Sequence, residues 1–253
     1  MCLYPTKITR AFCDTIEVSC GKCLECLSRK SIEWAVRICL EAREHAENCF
    51  ITLTYAETDY NLHKRDLQLF IKRLRKHVEP VKVRYFACGE YGSKGHRPHY
   101  HIILFGWKPK DGYFWRMSKG EKLYRSPTLE KLWSKKIYDV KKKKYVDVSM
   151  GFSTWGDISF NSARYCAKYL QKLNEHIEGR TEPFVVMSNR PGIGFNAISP
   201  DMLLTDKVYY DGKSIRVPRY FEKVLEREGY SLENLRDIRQ KHMEFYQSQP
   251  SNK

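Results

Sequence analysis

The rhythm of apolar and polar positions changes several times along this chain, and each change marks an element. Residues 64–78 have the clearest helical period. Leu67, Phe70, Ile71, Leu74 and Val78 form one stripe, opposite Lys64, Arg65, Lys72, Arg73, Arg75 and Lys76. Residues 31–48 repeat that spacing, with Ile32, Ala35, Val36, Cys39, Leu40 and Ala42 inward. Between the two, residues 49–55 alternate: Thr52 and Thr54 share a face opposite Ile51 and Leu53, as on a strand. The runs 81–89 and 99–106 have the β-branched and aromatic content of buried strands. Glu90-Tyr-Gly-Ser-Lys-Gly-His-Arg-Pro98 joins them and carries the glycines and proline that turns need. Residues 163–172 return to helical spacing and 184–187 to a strand. A hairpin over 208–217 turns at Asp211-Gly212, and two charged amphipathic helices occupy 218–247. Strand, helix, two strands, helix, strand is the order of an α+β fold. Its expected form is two-layered, with a central antiparallel sheet flanked by helices.

Three regions follow: a Cys-rich segment over 1–30, a catalytic core over 31–200, and a C-terminal hairpin with charged helices over 201–253. A chain of 253 residues suits one domain with extensions better than two independent ones. Inside the core, 108–157 reads as an insertion rich in Lys, Tyr and Trp, with one short helix after Ser126-Pro127. Its four lysines at 141–144 and the rings of Tyr138, Tyr145 and Trp155 admit two readings. Either the charges contact phosphates while the rings stack on unpaired bases, or this is a solvated hairpin with its aromatics tucked into the core.

Lys and Arg number 45 against 30 Asp and Glu, a net charge of +15 that suits a polyanionic partner and sets the chain apart from ordinary metabolic enzymes. A membrane partner is disfavoured: no apolar stretch approaches the roughly 20 residues of a spanning helix. The opening residues also lack the continuous apolar core of a signal peptide. No Gly-x-x-x-x-Gly-Lys-Ser/Thr segment is present, so duplex unwinding would fall to another protein. Nine cysteines, several on expected core faces (Cys39, Cys49, Cys88, Cys166), fit a reducing compartment. Cys20-x-x-Cys23-x-x-Cys26 has the start of a structural zinc site, with Cys13 or Cys2 as fourth thiolate. An iron–sulfur cluster would draw on the same thiolates.

The candidate chemistry lies at two places. His99 and His101 stand two apart on a strand, so both imidazoles point to one face and can converge on one ion. An antiparallel hairpin returns Glu90 beside His99, making Glu90 the leading third ligand for Mg²⁺ or Mn²⁺, with His96 the rival. On the helix over 163–172, Tyr165, Lys168, Tyr169 and Lys172 fall on one face, opposite Cys166, Ala167, Leu170 and Leu173. Two phenols one turn apart can reach one phosphate in turn, and Lys168 between them can orient a phenol or neutralise a phosphoryl oxygen. Arg97, Lys172 and Arg190 are candidate DNA contacts. Arg190 lies in Asn189-Arg-Pro-Gly-Ile-Gly194, a turn whose amides could hold a phosphate.

Phe50-Ile-Thr-Leu-Thr-Tyr55, Pro98-His-Tyr-His101 and Tyr165-Cys-Ala-Lys-Tyr169 resemble motifs I, II and III of the HUH endonucleases, in the same order. The likeness is closer to the replication initiators of microviruses. Met1-Cys-Leu-Tyr-Pro5, Cys20-Gly-Lys-Cys23, Gly89-Glu-Tyr-Gly92, Met187-Ser-Asn-Arg-Pro-Gly-Ile-Gly194 and Val217-Pro-Arg-Tyr220 look most like the gokushovirus branch. The resemblance implies an HUH-type core and a metal-dependent endonuclease that nicks origin DNA and single-stranded DNA through a 5′-phosphotyrosine. It further implies strand joining that circularises the product, host helicase and replication machinery as partners, and the host bacterial cytoplasm as location. A relaxase or single-strand transposase would use the same chemistry in another context. An Fe(II) oxygenase would share the ligand set but not explain the charge, and a noncatalytic nucleic-acid-binding protein would leave the histidines idle.

Overall fold

The computed structural model describes residues 2–9, 15–57, 59–92, 95–118, 120–168 and 178–248. Of the expected site residues, Cys13, Tyr169 and Lys172 lie outside these, as do Leu170 and Leu173. Two short strands, β1 (Thr6–Ile8) and β2 (Ile16–Val18), pair ahead of α1 (Leu24–Arg43). The core continues through β3 (Asn48–Thr54), α2 (Lys64–His77), β4 (Arg84–Tyr91) and β5 (Pro98–Phe105). The insertion then forms two antiparallel pairs. They are β6 (Tyr113–Ser118) with β7 (Glu121–Arg125), and β8 (Ser134–Asp139) with β9 (Lys144–Ser149), separated by α3 (Pro127–Leu132). After β10 (Ser153–Gly156) come α4 (Phe160–Lys168), β11 (Phe184–Met187) and α5 (Met202–Thr205). The hairpin β12 (Lys207–Tyr210) and β13 (Lys213–Arg216), then α6 (Arg219–Arg227) and α7 (Glu233–Ser248), complete the described chain.

Seven strands form one sheet in the order β11-β4-β5-β3-β10-β7-β6, with every pairing antiparallel. The α+β class with a central antiparallel sheet is as the sequence implied, and helices cover both faces, making the sheet the middle layer. Strand alternation divides the work. Tyr100, Ile102 and Leu104 of β5, with Ile51 and Leu53 of β3, pack against Leu67, Phe70, Ile71 and Leu74 of α2 and against Trp133. On the other face Ile103, Phe105, Phe86 and Cys88 meet Ala35, Ile38 and Cys39 of α1 and Ala163, Cys166 and Ala167 of α4. Each large aliphatic chain sealed this way contributes about 1.5–3 kcal/mol relative to exposure. The C-terminal extension packs on the rest of α1, where Val36 and Leu40 meet Val208, Val217, Phe221, Leu225 and Leu235.

Two boundaries differ from the periodicity. Helix α1 begins at Leu24, ahead of the expected 31, because Leu24-Glu-Cys-Leu-Ser-Arg-Lys30 continues the helix and buries Cys26. It ends at Arg43 because the Asn48 side-chain amide donates to the carbonyls of Ala42 and His45, both at 2.9 Å. Strand β4 runs later than expected and includes Glu90 within its ladder. Helix α3 follows Ser126-Pro127 as anticipated: the Ser126 hydroxyl accepts from Leu129 N–H at 3.1 Å, and Pro127 needs no donor at the first position. Among the described residues, no helix is long and apolar enough to cross a membrane.

Candidate metal and tyrosine site

The register of β4 and β5 builds the site. Glu90 lies directly opposite His99, while His101 sits between Cys88 of β4 and Thr52 of β3. Paired residues point to one side of a sheet, so Glu90, His99, His101, Thr52 and Phe50 all face α4. One ligand atom each from Glu90, His99 and His101 lies within 4.8 Å of the others. Glu90 Oε1 is 2.6 Å from His99 Nε2 and 3.3 Å from His101 Nε2. The rival His96 is exposed in the loop at a φ of +47° and takes no part in this group.

The far nitrogens of both rings are held. His99 Nδ1 lies 3.1 Å from the Arg97 carbonyl, which can only accept, so that nitrogen carries the proton and Nε2 presents its lone pair. His101 Nδ1 is 3.0 Å from the Thr52 hydroxyl. Burial pushes the His101 pKa down, favouring the neutral imidazole that binds metal. Two imidazole lone pairs and a carboxylate oxygen converging this closely need a cation between them. One carboxylate with two imidazoles fits a hard divalent ion of the Mg²⁺ or Mn²⁺ kind. Thr52 as His101's partner was not singled out by sequence, although its place on the inner face of β3 was the available signal.

Tyr165 stands beside this group. Its ring centroid is 5.2 Å from that of His101, edge-on at 79°, and 6.4 Å from Phe50, whose own ring stacks on His101 at 5.5 Å. The phenol is 38% exposed, so it adjoins the ligand group and also faces solvent. Lys168, one turn further along α4, is exposed. The helix is fixed against the sheet at this point by Cys166, whose Sγ is 3.6 Å from Cys88 Sγ and 3.9 Å from the His101 carbonyl. Its N-terminus is tied as well. Ser159 Oγ accepts from Ser162 N–H at 3.1 Å and donates to Glu121 of β7 at 3.0 Å, linking α4 to the insertion.

The remaining sequence candidates are dispersed. Arg97 donates to the carbonyls of Tyr55 and Ala56 at 2.6 and 3.2 Å, so part of its guanidinium braces the end of β3. Gly92 lets the loop close over the site: its N–H donates to the Arg97 carbonyl at 3.0 Å, and a Cβ there would sit 3.1 Å from His99 Cε1. The Asn189–Gly194 turn docks on α1. Gly194 N–H donates to buried Glu41 at 2.7 Å, and Arg37 Nε to the Ile193 carbonyl at 3.0 Å, so that amide is not available to a phosphate. Arg190 itself is exposed, on a cavity shared with Trp34, Arg37, Tyr220 and Arg227. In the insertion the rings divide. Tyr138 and Tyr145 are exposed, as the DNA-facing reading expects, but Trp155 is buried and stacks on Tyr124 with centroids 4.9 Å apart. The tryptophan belongs to the core because β10 pairs with β3 inside the main sheet. Tyr113, Phe114 and Trp115 of β6, not singled out before, are exposed, with the Arg116 guanidinium 4.2 Å from the Trp115 ring.

At the N-terminus Cys20, Cys23 and Cys26 come together as expected, and the fourth thiol among the described residues is Cys2.

This sheet-and-tyrosine architecture belongs to a class seen in phage replication proteins. The chain belongs to the ORF2 family of replication-associated proteins, whose family model matches residues 48–174, a span containing every residue of the candidate site. It is 33% identical over 225 residues to the replication-associated protein ORF4 of Chlamydia phage 1, covering 81% of this chain and 53% of that protein. It is 30% identical over 254 aligned positions to the replication-associated protein ORF2 of Spiroplasma virus 4, covering 88% and 73%. A third relative, the replication-associated protein VP4 of Bdellovibrio phage phiMH2K, is 30% identical over 168 residues, 62% of this chain and 49% of that protein. The chain thus spans about half the length of the Chlamydia and Bdellovibrio phage proteins. No solved structure gives a significant match.

Proposed function

We propose that this chain initiates rolling-circle replication of a phage genome, nicking DNA at an origin through a 5′-phosphotyrosine and later rejoining the strand. The observation that carries the reading is the convergence of Glu90, His99 and His101 within 4.8 Å, with the Tyr165 ring 5.2 Å from His101. Membership of a replication-associated family and a charge of +15 support it.

The chemistry that a bound Mg²⁺ or Mn²⁺ supplies at Glu90, His99 and His101 is Lewis-acid polarisation and alignment of the scissile phosphate. Tyr165 Oη attacks that phosphorus, the bond to the 3′ oxygen breaks, and the phenol proton is passed on balance to the released 3′-hydroxyl. A free phenol has a pKa of about 10, so the proton must leave as attack proceeds. Lys168, on the same face of α4, stabilises the developing phenolate or a phosphoryl oxygen. The phosphotyrosine conserves the energy of the phosphodiester, so a 3′-hydroxyl can reverse the step and join strands. Tyr169, one turn beyond Tyr165 in sequence, is the second nucleophile, attacking a new junction while Tyr165 holds the first. Arg97, Lys172 and Arg190 contact DNA backbone. The exposed rings of β6 and of Tyr138 and Tyr145, beside the exposed lysines at 141–144, suit unpaired bases and their phosphates. Lacking a P-loop, the chain relies on a host helicase, and its place of action is the host bacterial cytoplasm.

The test is incubation of the full chain with single-stranded oligonucleotides spanning candidate origins and Mn²⁺, followed by denaturing electrophoresis and mass spectrometry. A covalent adduct on Tyr165 or Tyr169 is expected. Binding with no adduct on any origin sequence, or an adduct on a tyrosine outside this helix, overturns the reading.

A further inference from the structure

We infer that Cys2, Cys20, Cys23 and Cys26 hold a structural zinc ion that clasps the N-terminal arm to the start of α1. The four sulfurs lie within 4.8 Å of one another, and all four cysteines are free rather than disulfide-bonded. A Zn–S bond of about 2.3 Å gives a tetrahedron with edges of about 3.8 Å. Cys2 Sγ and Cys23 Sγ are 3.8 Å apart.

A second, independent observation concerns the backbone around these sulfurs. Cys20 Sγ accepts from the N–H groups of Lys22 and Cys23 at 3.5 and 3.3 Å, and Cys2 Sγ accepts from Cys20 N–H at 3.3 Å. Arg29 Nη2 lies 3.9 Å from Cys26 Sγ. Amide donors aimed at sulfur stabilise thiolates, and neutral thiols that merely fill space need no such nest. The turn that makes it possible passes through Gly21 at a φ of +72°, a conformation glycine adopts without Cβ strain. Four thiolates this close repel one another unless a cation neutralises them. The four-sulfur tetrahedral set with short Cys-x-x-Cys spacing selects zinc over the hard ion suited to the Glu90 group.

The clasp has a structural use. Residues 2–9 bury little, and β1 is exposed throughout, so apolar packing does not hold the arm down. Cys26, in the first turn of α1, is buried and carries the ligand set into the helix. The same helix presents Ala35, Ile38 and Cys39 to Ala163, Cys166 and Ala167 of α4. Ordering the start of α1 therefore steadies the scaffold of the tyrosine helix. Binding would release the protons of those thiols that are not already ionised, coupling occupancy to folding.

The experiment is elemental analysis of full-length protein after dialysis against a weak chelator, with a mercurial reagent used to release bound metal. About one zinc per chain is expected, liberated as the thiols are titrated, and replacement by Co²⁺ should give the intense visible bands of a tetrahedral tetrathiolate. Cys2→Ser and Cys23→Ser should each lose the ion, whereas Cys13→Ser and His101→Ala should keep it. The wild-type measurement decides the matter even where a Ser variant does not fold. Folded wild type without zinc, with all four thiols freely reactive, overturns the inference, as does iron in place of zinc. Zinc lost from Cys13→Ser but kept in Cys2→Ser would overturn the ligand assignment, and zinc lost only from His101→Ala would place the ion at the other site.

Discussion

Along β5 the residues facing α2 and those facing α4 differ in kind. Tyr100, Ile102 and Leu104 are sealed in the larger apolar cluster, while His99 and His101, one position to either side of Tyr100, look onto the tyrosine helix. Tyrosines occur on both sides and meet opposite fates. Tyr100 Oη lies 2.8 Å from Tyr55 Oη, which donates to Asp66 at 2.7 Å, and Tyr100 also bonds both backbone groups of His63. Burial pushes the Tyr100 phenol up to about 12 and the Tyr55 phenol higher still. Both are locked as neutral crossbraces. Tyr165 has the same side chain on the open face, beside His101, with no such burial. What makes a tyrosine a candidate nucleophile is the face it occupies, and a shift of one position along a strand exchanges the two environments.

The sharpest way to break this comparison is at α4. Replacing both Tyr165 and Tyr169 by Phe should remove every covalent adduct with origin DNA, while each single replacement leaves some cleavage or joining and impairs repeated rounds. A Tyr169→Phe protein that turns over like wild type would reduce Tyr169 to packing. Next in size, His101→Ala or His99→Ala should abolish Mn²⁺-dependent cleavage yet retain much of the DNA affinity in a filter-binding or anisotropy assay. That affinity comes from distributed Lys and Arg contacts and should fall with salt. Cleavage at the wild-type rate in either variant would refute the ligand assignment. Thr52→Val removes the partner of His101 Nδ1 with little change of shape. It should raise the Mn²⁺ concentration needed for half-maximal cleavage by roughly 10–100-fold. The mildest change in activity belongs to the packed face. Tyr100→Phe should lower unfolding free energy by about 1–3 kcal/mol in a denaturant titration, through the buried groups it leaves unpaired. Its cleavage should match wild type wherever the protein is folded, and a selective loss of cleavage would erase the distinction between the faces.

These environments were unequally visible beforehand. The placing of His99, His101 and Glu90 follows from alternation and a short hairpin, both local properties that one stretch of chain contains. The stripe of α2 was legible for the same reason. Thr52 became His101's partner through the β3–β5 register, which pairs residues 49 positions apart and leaves no mark in either segment. Trp155 carries the composition of a base-stacking ring, yet its strand joins the main sheet and turns it inward. Arg97 reads as a free cation until the carbonyls of Tyr55 and Ala56 come round to meet it. The early start of α1 eluded periodicity because its first turns answer to the clustering of thiols rather than to an apolar stripe.

One edge of the sheet has a consequence for how molecules of this protein meet one another. Strand β6 ends the seven-stranded order, and Tyr113-Phe-Trp-Arg-Met117 has the hydrophobic, β-forming make-up of segments that recruit further strands. Its ladder with β7 skips Trp115: Phe114 pairs with Tyr124 and Arg116 with Leu123, so a bulge falls in the middle of the edge. A bulge coils the strand and breaks the regular row of donors and acceptors that another copy would need, and Arg116 adds charge at the same place. A ribbon that must keep its aromatic rings in water thereby carries its own guard against fibrous growth at high concentration.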